Sequence, residues 1–137
     1  MNKLSVIIFP VFLSVMLAAG MAYAQDGLTA LKGDIPFGFI VADKALPAGT
    51  YIVKVVSPDI IKIQNTVNRN VVVFRTIATA KGKEVEPRLV FRRYGERYFL
   101  AQIWNGSREG NEVPRTSKEL QVAKNLSAPE LIYVATK

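Results

Sequence analysis

The chain has 137 residues, a formal charge of +7 from 18 Lys and Arg against 11 Asp and Glu, and neither cysteine nor histidine. Those two absences exclude disulfide staples, Ser–His and Cys–His nucleophiles, and ordinary zinc or copper sites. What remains is enough chain for one domain with a core, held together by packing alone.

Residues 1–24 read as a signal peptide. Lys3 supplies the positive start, Leu4 to Gly20 is almost entirely apolar, and Ala22-Tyr23-Ala24 places small residues where signal peptidase needs them. Cleavage between Ala24 and Gln25 predicts a periplasmic or secreted product, residues 25–137, with no transmembrane segment. Of the charged residues only Lys3 is lost, so 17 basic residues stand against 11 acidic ones, a balance of +6. The missing cysteine also removes a lipid anchor behind the signal. Outside the cytoplasm nucleic acid is not an expected partner; anionic envelope glycans or lipid head groups match the charge.

Gln25 to Lys32 has no clear pattern and reads as a loose lead-in. Gly33 to Val41 alternates at Phe37, Phe39 and Val41, as a half-buried strand does, with Pro36 at its start. Lys44 to Gly49 is a turn. Thr50 to Ser57 is a strand with Tyr51, Val53 and Val55 on one face, and Ile60 to Gln64 is a short strand with Ile61 and Ile63 inward. Asn65 to Asn70 is an Asn-rich loop. Val71 to Ala80 is a continuous β-branched run and predicts one buried strand. Lys81 to Pro87 is a charged loop.

Arg88 to Trp104 predicts a hairpin about Gly95-Glu96, because glycine at the first central position suits a type II′ turn. That loop pairs Tyr94 with Arg97, Arg93 with Tyr98 and Phe91 with Leu100. One face then carries Leu89, Phe91, Tyr98, Leu100 and Trp104, and the other Val90, Phe99, Ala101 and Ile103. Asn105 to Pro114 reads as the longest exposed loop. Thr116 to Leu126 is the helix candidate, with Thr116 and Glu119 as a reciprocal capping box and Leu120, Ala123 and Lys124 on one stripe. Leu131 to Ala135 is the last strand. The sum is an all-β fold: a small antiparallel sandwich or barrel of six to seven strands with one short helix near the C-terminus.

Candidate chemistry is sparse. Arg92, Arg93 and Arg97 gather at the hairpin tip beside Tyr94 and Tyr98, a wet basic cluster suited to phosphate or carboxylate. Tyr51, Phe74, Phe91, Tyr98 and Trp104 form either core or the lining of a ligand pocket. Glu84 and Glu86 are the one candidate acid pair for glycoside hydrolysis, and Glu109 and Glu112 the one candidate calcium pair; both are weaker than a plain solvated loop. No catalytic residue, metal site or cofactor is expected.

The segments IPFGFIV, LPAGTYIVKVV and LVFRRYGERYFLAQIW, followed by a Gly-rich loop and TSKELQVAK, resemble a group of small secreted bacterial proteins of unknown function. That group shows a Pro-Phe-x-Phe strand, a Leu-Pro-Ala-Gly-x-Tyr turn and an Arg-Tyr-Gly hairpin tip. The likeness spans Asp34 to Lys124, at Pro36, Phe37, Phe39, Leu46, Pro47, Gly49, Tyr51, Tyr94, Gly95 and Trp104. It implies a secreted β domain and no particular activity.

The functional expectation is an exported, non-enzymatic binding or structural module that contacts anionic envelope components through the basic tip. The alternatives are a lipocalin-like carrier of a small apolar ligand and a carboxylate-based glycan hydrolase. A filled interior separates the first reading from the carrier, which needs a cavity.

Overall fold

The computed structural model describes residues 30–126 and 128–137. The expected signal peptide and the start of the lead-in lie outside the described residues.

Two antiparallel sheets form, and alternation explains which residues they share. β1 (Ala30–Ile35), β4 (Gly49–Ser57), β5 (Ile60–Asn65) and β6 (Val71–Arg75) make the first sheet, in the order β1-β4-β5-β6. Its inward positions are Leu31, Ile35, Tyr51, Val53, Ile61, Ile63, Val72 and Phe74. The second sheet runs β11 (Glu130–Ala135), β8 (Arg88–Tyr94), β9 (Arg97–Trp104), β10 (Glu109–Glu112) and β7 (Ile77–Ala80). It contributes Leu89, Phe91, Leu100, Ile103 and Val134 to the same core. A small hairpin of β2 (Phe39–Val41) and β3 (Lys44–Leu46) joins it through one parallel bridge, Ile40 to Phe99. The arrangement is a sandwich, and its ladders do not close into a barrel. One helix, α1 (Ser117–Asn125), lies near the C-terminus as expected.

Several expected strands divide. The stretch from Gly33 to Val41 splits at Pro36, which has no N–H to give a ladder, so β1 and β2 enter different sheets. Part of the expected lead-in, Ala30 to Lys32, belongs to β1. The run from Val71 to Ala80 also changes sheets, at Thr76. The buried Thr76 donates its N–H to the Asp59 carbonyl and receives a hydrogen bond from Asn111 Nδ2, which fixes the crossing. The expected loop from Asn105 to Pro114 contains β10, paired on both sides. Eleven strands therefore stand among the described residues, where six to seven were expected.

The central hairpin keeps the expected register from Tyr94–Arg97 to Phe91–Leu100, and Gly95 takes φ 61°, as the turn requires. Beyond that, Val90 faces Gln102, so Ala101 is an extra residue. Such a bulge exchanges the faces of everything after it. Ile103 therefore stands opposite Leu89 in the main core, and Trp104 turns outward to pack with Val85 and Val90. The expected placement of Trp104 beside Leu89 and Phe91 is thus corrected, and so is that of Ile103.

Trp104 is fully buried on this outer side and donates Nε1–H to Gln102 Oε1 at 3.0 Å. Its ring lies against Gly110, where a Cβ would come within 2.7 Å of the indole. Gly110→Ala should therefore cost about 1–3 kcal/mol by overpacking. Because Trp104 is the single tryptophan, its fluorescence should shift with the loss of thermal stability. Gly82→Ala, where a Cβ meets nothing within 4 Å, should leave both unchanged.

Candidate functional site

The outer face of the second sheet carries Val90, Arg92 and Tyr94 along β8, and Phe99 on β9 opposite Arg92. A cation in that apolar series has to find a partner or leave. It finds Glu119. Arg92 Nε donates to Glu119 Oε2 at 2.6 Å and Nη2 to Oε1 at 3.0 Å, a two-pronged pair, and Nη2 also donates to the Val113 carbonyl at 3.1 Å. Tyr94 donates its hydroxyl to Glu119 Oε2 at 2.9 Å. Arg115 approaches the same oxygen at 3.7 Å from the surface. All of Arg92, Tyr94 and Glu119 are buried.

This cluster docks α1. Thr116 caps the helix by accepting the Glu119 N–H at 3.3 Å. The reciprocal half of the expected capping box is missing, because the Glu119 carboxylate turns down to Arg92 instead. The expected apolar stripe does not carry the contact either: Glu119 is the buried residue of the helix, while Leu120 and Leu126 are each 46 % exposed.

The three-arginine tip is therefore taken apart. Arg92 and Tyr94 lie under the helix, not in solvent. Arg93 is half-buried, donates to the Gly95 carbonyl at 2.7 Å, lies 5.6 Å from the Tyr98 ring centroid and sits 3.7 Å from Glu130. Arg97 alone of the three is exposed and has no ion-pair partner among the described residues.

The five aromatic candidates part in the same way. Tyr51, Phe74 and Phe91 are buried in the main core, where Tyr51 donates to the Pro47 carbonyl and Phe39 meets both Tyr51 and Phe91 edge-on, at 5.1 and 5.4 Å. Tyr98 stacks on Phe37 at 3.8 Å near the tip, and Trp104 belongs to the outer cluster. They fall in three separate places and, among the described residues, line no common pocket. Glu84 and Glu86 are exposed on either side of the buried Val85. Glu109 and Glu112 are three apart on a strand, so they point to opposite faces.

Open space lies beside the docked helix. A groove of about 690 Å³ runs between α1, the β2–β3 turn and the start of β9. Ile40, Ala45, Phe99 and Val122 give it an apolar surface, and Arg97 and Lys118 bring cations to it. Asp43 stands at its rim, in a turn where Ala42 and Asp43 both take left-handed φ, 49° and 63°. Two adjacent non-glycine residues in that region store strain of about 1–3 kcal/mol each. Sequence reasoning missed the groove. The available signal was Arg92 alternating with Val90 and Tyr94, which marks a buried cation and so a cover over that face.

Among the described residues no group of three or more acidic side chains is placed to hold a metal ion, and no helix is long and apolar enough to cross a membrane. Compared with protein-family models, curated proteins and solved structures, the chain matches none of them.

Glu119→Ala leaves Arg92 buried without its carboxylate and should cost about 3–5 kcal/mol in urea unfolding, whereas Arg92→Met with Glu119→Leu should recover most of it.

Burial first, then the hydrogen bond and charge of Glu119, push the Tyr94 phenol above its ordinary pKa of 10.0, against the pull of Arg115 and Arg92. A folded-state pKa above the unfolded one contributes stability that is whole below the unfolded value and is lost as pH rises through the folded one. The stability gap between the wild type and Tyr94→Phe should hold constant from pH 7 to about pH 10 and narrow above it, as thermal melts across that range would show.

Proposed function

We propose that this chain is an exported, non-enzymatic binding module whose groove beside α1 takes a small amphipathic anion, an acyl chain with a carboxylate or phosphate head. The observation that carries this reading is the pairing, in one groove, of an apolar surface with Arg97 and Lys118. A pocket of that size with a few convergent polar groups is the usual form of a small-molecule site. The guanidinium of Arg97 suits a two-oxygen anion, and the ammonium of Lys118 adds charge without demanding geometry.

Three further features support it. The rim turn is strained, as segments at binding sites often are. The helix wall is tied by side-chain hydrogen bonds, so Val122 and Leu126 line the groove without having to anchor the helix. The N-terminal Lys3, the Leu4 to Gly20 run and Ala22-Tyr23-Ala24 support export, to the periplasm or beyond it. Relative to the reading from sequence, the anion contact moves from the hairpin tip to the groove, and only Arg97 belongs to both. The apolar ligand of the carrier reading finds room outside the sandwich and gains a charged head.

Calorimetric titration with decanoate tests this. Decanoate should bind with a sub-millimolar Kd, and decanol or acetate, each lacking one half of the amphiphile, far more weakly. Arg97→Gln and Lys118→Gln should each weaken decanoate roughly tenfold, as loss of a charged hydrogen bond does. Lys83→Gln, which removes the same charge elsewhere, should not. Equal responses to all three substitutions would discard the site.

A further inference from the structure

The outward face of the first sheet is basic and open to solvent. Its strands alternate, so Ile52, Lys54 and Val56 on β4, Lys62 and Gln64 on β5, and Val71, Val73 and Arg75 on β6 point away from the core. Lys32 on β1 joins them.

The cross-strand register arranges the cations. Lys54 stands directly opposite Lys62. Lys32 stands opposite Ile52, two residues from Lys54, and is therefore its diagonal neighbour. Arg75 lies two residues beyond Val73, which stands opposite Lys62. A diagonal stripe, Lys32–Lys54–Lys62–Arg75, crosses all four strands, a width of roughly 14 Å at the usual strand spacing. None of the four makes an ion pair among the described residues. Asp34, the acid on this side of β1, accepts a hydrogen bond from Thr50.

Like charges directly opposite one another destabilise a sheet. Neither strand needs lysine at these outward positions for its fold, so the Lys54–Lys62 juxtaposition is a standing penalty that a bound anionic surface would relieve. The cations are interleaved with exposed aliphatic side chains: Val56 is 59 % and Val73 58 % exposed, with Ile52 and Val71 beside them. Among the described residues no aromatic ring lies on this face. A face that held sugar rings by stacking would present aromatic planes; this one presents methyl groups between ammonium groups. A second copy of the same face would meet it with like charge.

We propose that this face docks flat on an anionic lipid bilayer, with lysine heads among the phosphates and valine methyls in the interface. Long basic side chains reach the head-group layer while their stems lie along apolar surface. Each cation held near an anionic bilayer contributes modestly, and the four act together. This surface lies on the opposite sheet from the groove, and its test does not depend on that reading.

Residues 25–137 include every described strand and the helix, so this segment, with its folding checked by thermal melting, is the material for vesicle co-sedimentation. It should bind vesicles of phosphatidylglycerol and phosphatidylcholine in equal parts, and should not bind phosphatidylcholine alone. Lys54→Gln with Lys62→Gln should weaken binding on the order of thirty-fold, from the usual contribution of two such cations. Lys83→Gln with Lys124→Gln, an equal loss of charge elsewhere, should change it less than about threefold if the stripe is specific. Val56→Ser with Val73→Ser should also weaken vesicle binding, while leaving binding to the soluble polyanion heparin unchanged. Equal effects of the two lysine pairs would overturn the proposal. So would tight heparin binding that depends on the stripe without vesicle binding, which would assign the face to a polyanion.

Discussion

The position of α1 depends on a single carboxylate. Nine residues are too few for a helix to persist alone in water, so its stability must come from what it touches. Most short surface helices touch their domain with leucines. This one touches it with Glu119, which meets Arg92 on two prongs and takes the Tyr94 hydroxyl as well. Burying such a pair gains little net stability, because desolvation offsets most of the attraction. What it gains is uniqueness: a carboxylate with three directional partners admits one seat for the helix, where a greasy face would admit several. The groove beside α1 inherits its width from that seat.

The sandwich beneath is closed at its corners by the chain itself. Thr76 turns the chain from β6 in one sheet to β7 in the other, and Asn111 ties the crossing to Pro58 and Thr76. At the opposite corner Lys32 and Lys137 exchange backbone hydrogen bonds, which joins β1 to the chain end beyond β11. The outer edge of β9 is divided between β10, along Gln102 to Trp104, and the single bridge to β2 at Phe99. That division leaves the gap over Phe99 which α1 roofs and the groove occupies.

Much of the fold was legible in the sequence because strand alternation and turn residues are local signals. Tyr51, Val53, Ile61 and Ile63 fall inward by parity alone, and Gly95 announces its turn. The faces of Ile103 and Trp104 were not legible, since a bulge at Ala101 leaves no mark in composition and exchanges both. The breaks at Pro36 and Thr76 were hidden because the apolar pattern runs through them; only pairing partners on two different sheets reveal them. The candidate site was legible in part. Arg97 was found at the tip, but Arg92 was grouped with it by nearness in sequence when its parity sets it with Val90 and Tyr94. Glu119 was read as a cap because that role is satisfied within one helical turn, whereas its actual partner lies 27 residues away.

β6 stands at the edge of its sheet. Val71-Val72-Val73-Phe74 is a β-branched, uncharged, proline-free run of the kind that seeds cross-β assembly. It lies at the border of the fold, where an unpaired ladder is open to another chain. Arg69 before it and Arg75 at its end flank it with charge, the arrangement by which natural sequences guard a sticky segment. Until β5 covers one side of it, the folding chain carries this segment exposed. The two arginines then act as gatekeepers during folding, before any site on the folded surface exists.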